Sequence, residues 1–220
     1  MADGDMNKNI SYWQKTFEHW WQDKSLDDGA HDMGHFRRVY KNACQIAQEE
    51  GDSADKMVLL AAAYFHDVVN PPKNAPDRHL ASYKSAEMAK EILSSFSFPD
   101  SKINQVYHAI TTHSFSAGLK PETQEAKILQ DADRLEALGA LGVARNMYVS
   151  GMMGSLLFDP QDPLAENRPL DDKRYALDHF EVKLFKLSET MQTLAGKRIA
   201  EERTAFLRLF RDQLLKEVSI

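Results

Sequence analysis

Nine consecutive apolar residues, Met57 to Phe65 (MVLLAAAYF), form the longest apolar run in the chain, and they lead straight into His66 and Asp67. The run is far short of the ~20 residues that cross a bilayer, so other parts of the chain must bury it. Pro71 and Pro72 then close the segment, because proline lacks the N–H that would continue a helix. An imidazole and a carboxylate thus stand side by side where a core helix ends. A buried polar group without a partner costs several kcal/mol, so this placement needs a physical reason.

The cover for that run is helical throughout. Trp13, Phe17, Trp20 and Trp21 recur at helical spacing and predict a helix over about 9–24 with core anchors. Phe36, Val39, Tyr40, Ala43 and Ile46 predict a second amphipathic helix ended by Gly51, and Ser53 reads as the N-cap of the helix that runs from Met57 to Asp67. Helices follow at about 80–96, 101–113 and 122–138. Gly139, Gly142, Gly151 and Gly154 break up a small-residue region, and Phe158–Pro169 reads as a long polar loop with three prolines. Two charged helices, about 174–190 and 194–217, close the chain. No hairpin pattern or repeat is present. The expectation is one all-α domain over 1–220, a size for which 43% hydrophobic and 27% charged residues are ordinary.

The charge balance limits the partners. A net charge of −6 argues against broad electrostatic binding to nucleic acid, which needs a basic face. A phosphate ligand stays open, since a local cation can override the global sign. Cys44 is the single cysteine, so no internal disulfide forms and a reducing cytoplasmic setting is expected. The N-terminus lacks the apolar core of a signal peptide, and no membrane association is expected.

Four residues stand out as an ordered set: His35 in HDMGHFRRV, His66 and Asp67 in YFHDVV, and Asp133 in LQDADRLEALG. Each lies on an otherwise apolar or small-residue helical background. Three separate helices therefore offer His, His-Asp and Asp. Neutral imidazoles with carboxylates suit Mn²⁺, Zn²⁺, Fe²⁺ or Ni²⁺, with Mg²⁺ less favoured because two donors are nitrogen. A buried imidazole and carboxylate can end a core helix if a cation neutralises them.

This pattern resembles the HD superfamily of metal-dependent phosphohydrolases, all-helical proteins named for the His-Asp dipeptide. The phrases AITTHSFS, EAKILQDADRLEALGALGVAR, LDHFEVKL and AGKRIAEER resemble a bacterial branch similar to nucleoside triphosphate pyrophosphohydrolases. The resemblance implies an HD core over about 28–140, with the helices at about 174–217 packing on it. It also implies His35, His66, Asp67 and Asp133 as ligands of one divalent transition metal, Mn²⁺ foremost. The implied reaction is cleavage of a nucleoside triphosphate to monophosphate and pyrophosphate. Asn70 stands where related nucleotidases often carry an acidic residue, which separates this chain from them. His79, His108 and His113 lie where two-metal members place further ligands. A two-iron oxygenase and a non-catalytic metal- or nucleotide-binding regulator are the rival readings, and the oligomeric state is open.

The remaining candidates each carry two readings. Glu136, three residues from Asp133 and on its helical face, is an acid–base group or a solvated charge. Asp131, two residues from Asp133, orients a ligand histidine or caps its helix. His31 starts the helix of His35 and is placed to donate to substrate, while Asp67 is placed to partner the attacking water. Of Arg37 and Arg38, at most one faces a cavity. Arg145, Lys183, His113 and His179 are candidate binders of phosphate oxygens or ordinary polar residues.

Overall fold

The computed structural model describes residues 9–22, 24, 33–71, 76–114 and 117–218. The described residues form an all-α protein in which the only strand-like pairing is one isolated bridge, Leu156 with Tyr175. No helix among them is long and apolar enough to cross a membrane. The chain divides into two compact units, Met1–Ala132 and Asp133–Ile220.

The first unit is built around α3 (Lys56–Phe65), which is apolar on every side. Val58 through Phe65 are all fully buried, as a helix without a polar face must be. Helices α1 (Ile10–Gln22), α2 (Met33–Glu49) and α5 (Asp100–His113) pack against it, and α4 (Ala81–Ser95) packs chiefly on α5. Trp13, Phe17 and Trp21 of α1 are buried while Trp20 is half-exposed. Phe17 meets Phe65 edge-on at 4.9 Å, Trp13 meets Phe98 at 4.8 Å and Trp21 meets Phe36 at 4.9 Å. Truncating such a ring typically costs about 3–5 kcal/mol.

Polar ties set the register of these helices. Asp55, with an extended backbone, caps α3 by accepting from the N–H groups of Met57 and Val58. Ser53, expected from sequence to be the cap, lies exposed two residues upstream. Burial raises the Asp55 carboxyl, but the Lys102 ammonium and the two backbone donors outweigh it and hold the group below its ordinary value. Glu18 of α1 accepts from Arg37 Nε of α2 and from the Tyr64 hydroxyl of α3, both at 2.8 Å. One carboxylate thereby joins three helices. Asn42 of α2 donates to the Ala132 carbonyl of α6 (Gln124–Arg134) at 3.3 Å.

The second unit departs from its sequence pattern in three places. The helix expected over 122–138 ends at Arg134, and Leu135–Ala137 continue as a 3-10 turn. The glycine-broken region is instead a helix, α7 (Gly139–Met152). Glycine is unfavourable in a helix by about 1 kcal/mol, but here it is required: Gly139 has φ +70°, and a Cβ on Gly142 would stand 2.3 Å from the Ala137 carbonyl oxygen. The helix expected over 174–190 is a short α8 (Asp178–Val182) and a 3-10 stretch, Leu184–Thr190. Lys183, at φ −132°, breaks them apart, and Leu184, Phe185 and Leu187 are buried beyond it. α9 (Leu194–Val218) buries Ile199, Ala200, Thr204 and Leu207 along one stripe. The polar loop before α8 is ordered by Arg168, whose guanidinium grips the buried Asp178 carboxylate at 2.6 and 2.9 Å and covers the Tyr175 ring at 4.3 Å.

The Glu18 junction yields a pH-dependent expectation. Chiefly through the Arg37 hydrogen bond, with Tyr64 and Gln14 adding and burial opposing, the Glu18 pKa falls from 4.5 to about 2. A carboxyl depressed on folding stabilises the native state above its unfolded pKa, and that gain is lost as pH falls through the folded value. Arg37 is mostly exposed, so the gain is on the order of 1 kcal/mol. Thermal melts should place Glu18→Gln roughly 2–4 °C below wild type at pH 7, with the gap closing between pH 4.5 and 2. A gap independent of pH would show that the charge on Glu18 does not contribute.

Candidate metal centre

Helix α3 ends by exhausting its own acceptors. The last four carbonyls of a helix have no partner within it, and in α3 three find one on the following turn and the fourth finds one on α1. Ala62 O accepts from the His66 N–H at 2.9 Å, and Ala63 O from His66 Nδ1 at 2.9 Å. Tyr64 O accepts from Trp21 Nε1 at 3.1 Å, and Phe65 O from the Val68 N–H at 3.2 Å. The helix ends at Phe65 with His66 as its C-cap, still at helical φ −59° and ψ −33°, and Asp67 occupies the turn beyond it. His66 is fully buried.

A carbonyl can only accept, so His66 carries its proton on Nδ1 and presents an Nε2 lone pair inward. The same device recurs at the end of α5. His113 is 5% exposed, and its Nδ1 donates to the Ile110 carbonyl at 2.6 Å. Both imidazoles thus sit at helix C-termini, where the backbone dipoles favour positive charge. His35, in the first turn of α2, is fully buried with its Nε2 3.2 Å from His66 Nε2. Asp67 Oδ2 lies 3.4 Å from His66 Nε2, and Oδ1 lies 3.5 Å from His113 Nε2.

One donor atom from each of His35, His66 and Asp67 falls within a common 4.8 Å. At 3.2 Å the two Nε2 atoms share either a proton, as a hydrogen bond, or a cation. Atoms bound to one cation at about 2.0–2.2 Å, with angles between octahedral and tetrahedral, stand roughly 3.0–3.5 Å apart. The observed separations match that pattern, and two imidazoles with a carboxylate are an appropriate donor set for a divalent transition ion. The residues fit a metal.

The other sequence candidates divide by position. His113 joins the His66–Asp67 pair, a neighbourhood its spacing in sequence does not reveal. Asp131 is fully buried on α6, and Asp133 follows on the same helix, half-buried. Within the second unit Glu136 is 1% exposed, with Arg145 Nη1 4.0 Å from its carboxylate. Arg203 donates to the Leu135 carbonyl at 2.8 Å, and burial depresses its guanidinium while the Glu136 charge opposes that shift. Arg145 is half-buried, Lys183 is exposed, and His179 Nδ1 is engaged by Asp172 at 2.8 Å. Arg37 is held by Glu18. His31 lies outside the described residues. The carbonyls of Ala63 and Ile110, which set both tautomers, carry no sequence signal beyond a histidine three residues after them at a helix end.

Comparison with known proteins gives concordant matches. The family model for the HD domain matches residues 33–138. YpgQ of Bacillus subtilis is 31% identical over 204 residues, 90% of each chain. Its crystal structure matches with a TM-score of 0.70, covering 93% of this chain and 95% of that one at 30% identity. A structure of YpgQ in complex with ADP matches with a TM-score of 0.68 at 29% identity, over 93% and 94% of the two chains. An HD-superfamily hydrolase from Bacillus thuringiensis gives a TM-score of 0.70 at 30% identity, over 94% and 95%.

The tautomer assignment is directly measurable. In metal-free protein above pH 7.5, ¹⁵N-resolved imidazole spectra should show His66 and His113 protonated on Nδ1 with Nε2 bare. An Nε2–H signal from either ring would mean that its lone pair does not face the cluster.

Proposed function

This chain belongs to the HD-domain family, and on that premise we propose that it is a metal-dependent phosphohydrolase that cleaves a nucleoside triphosphate to monophosphate and pyrophosphate. The observation that carries the proposal is the convergence of His35, His66 and Asp67 donor atoms in a buried setting, with both helix-end imidazoles turned inward. Asp133 is the fourth ligand in this reading, on the strength of the sequence pattern. The nucleotide class draws on the relative crystallised with ADP, and the bond position on the branch resemblance and on Asn70.

When bound, a divalent cation of the Mn²⁺ type supplies Lewis acidity toward water and phosphoryl oxygen. The chain's own residues supply the rest. Ala63 and Ile110 hold the His66 and His113 rings in the tautomer that donates from Nε2, which a protonated Nε2 would forbid. Asp67 uses both oxygens toward neighbouring imidazoles and is positioned to take a proton from the attacking water. Arg145 and Lys183 serve as the cations for developing phosphate charge, and Glu136 or His31 as the source of a proton for the leaving group.

Elemental analysis of the purified protein should find one divalent ion per chain, and His66→Ala or Asp67→Ala should lose it together with nearly all turnover while remaining helical. Ion-exchange analysis of a nucleotide panel with Mn²⁺ should give monophosphate and pyrophosphate from triphosphates. Nucleoside and orthophosphate from a monophosphate as the main products would overturn the bond assignment, and full metal content in both variants would overturn the site.

A further inference from the structure

The turn that carries Asp67 runs through Val68 and Val69 outside any regular element. Backbone N–H and C=O groups in such a segment need partners from elsewhere. Helix α4 supplies them at one point. The Ser85 hydroxyl accepts from the Val69 N–H at 3.1 Å and donates to the Val69 carbonyl at 3.2 Å. Ser85 is 1% exposed and lies among the buried Ser82, Ala86 and Ala89 of its helix. A serine inside a helix commonly returns its proton to the carbonyl four residues back, or faces water. Here its single proton and a lone pair both go to one residue of another element.

Val69 is two residues past Asp67, and Asp67 must hold one oxygen near each of two imidazoles. The separations are 3.4 and 3.5 Å. At its start the turn is tied by His66 to Ala62 and Ala63, and by Val68 to Phe65. Beyond Asp67, the Ser85 clasp is the first tie from a different helix among the described residues, with Arg78 donating to the Pro71 carbonyl at 2.7 Å two residues further on.

We propose that Ser85 is a positioning residue for the metal centre, fixing through Val69 the turn on which the Asp67 carboxylate stands between His66 and His113. This inference rests on the metal-hydrolase reading above. Without the hydroxyl, Val69 has to regain partners for two backbone groups. Water offers them only if the turn moves outward, and Asp67 moves with it. The consequence is weaker metal binding in a protein whose ligands are all intact. Removal of a group that orients a metal ligand typically weakens affinity about 10- to 100-fold.

Calorimetric titration of metal-free protein with Mn²⁺ tests this on wild type, Ser85→Ala and Ser82→Ala. Ser82→Ala removes a buried hydroxyl one turn away on the same helix and controls for general damage to α4. Ser85→Ala should raise the Mn²⁺ Kd by roughly 10-fold or more and speed amide exchange in residues 66–70, whereas Ser82→Ala leaves both unchanged. Should Ser85→Ala not fold, Ser85→Cys keeps the volume with a weaker hydrogen-bonding group and carries the same expectation. An unchanged Kd in the folded Ser85 variant, or an equal loss in Ser82→Ala, overturns the positioning role while leaving the metal assignment intact. Failure of wild type to bind Mn²⁺ overturns the metal assignment, and the role of Ser85 with it.

Discussion

The end of α3 governs what the first unit can do. A helix buried on every side cannot deliver its last carbonyls to water, and each unpaired one would cost about 1–3 kcal/mol. Three of the four are satisfied by groups on or beside the His66 turn, and the fourth by Trp21. Because His66 spends its Nδ1 proton on that task, its other nitrogen faces His35 and Asp67 as an acceptor. The backbone's need for donors thus creates a buried lone pair, and His113 repeats the arrangement at the end of α5. A divalent cation is a partner that such a lone pair and the Asp67 carboxylate could share.

Around that point the first unit is assembled mainly by aromatic packing, with polar groups fixing register. Phe17 and Trp21 bring α1 against the last turn of α3, and the same turn carries Tyr64, whose hydroxyl reaches Glu18. Packing that holds α1 therefore also holds the helix end on which His66 depends. The second unit follows a different logic in its loop, where a buried carboxylate and a guanidinium organise the chain. A buried ion pair adds little stability over apolar packing of the same volume, yet breaking it is costly. Arg168 and Asp178 accordingly define the path of residues 159–178 more than they strengthen it.

The sequence was most legible where side-chain type alone carried the information. The α3 run and the aromatic face of α1 follow from apolar spacing and the long closing helix from its charge pattern, and their bounds agree to within about two residues. It was least legible where one local preference competed with a contact from elsewhere. Ser53 and Asp55 are both good caps, but Asp55 also meets Lys102 and Glu125. The glycines of α7 suggest a broken helix until the Ala137 carbonyl is placed against Gly142. Lys183 looks helical by composition, and the burial of Leu184, Phe185 and Leu187 overrides that preference.

By itself the sequence determined the helical class, since periodicity is a local property, and its resemblance to the HD pattern singled out His35, His66, Asp67 and Asp133 as candidate donors. Only the tertiary structure decided that the Nδ1 protons of His66 and His113 go to carbonyls of their own helices, that His113 stands beside Asp67, and that Ser85 clasps Val69. The first is a local matter of where each helix ends, since each ring meets a carbonyl three residues before it. The other two join residues 46 and 16 positions apart, and contacts between distant segments depend on how helices pack rather than on the spacing within any one of them.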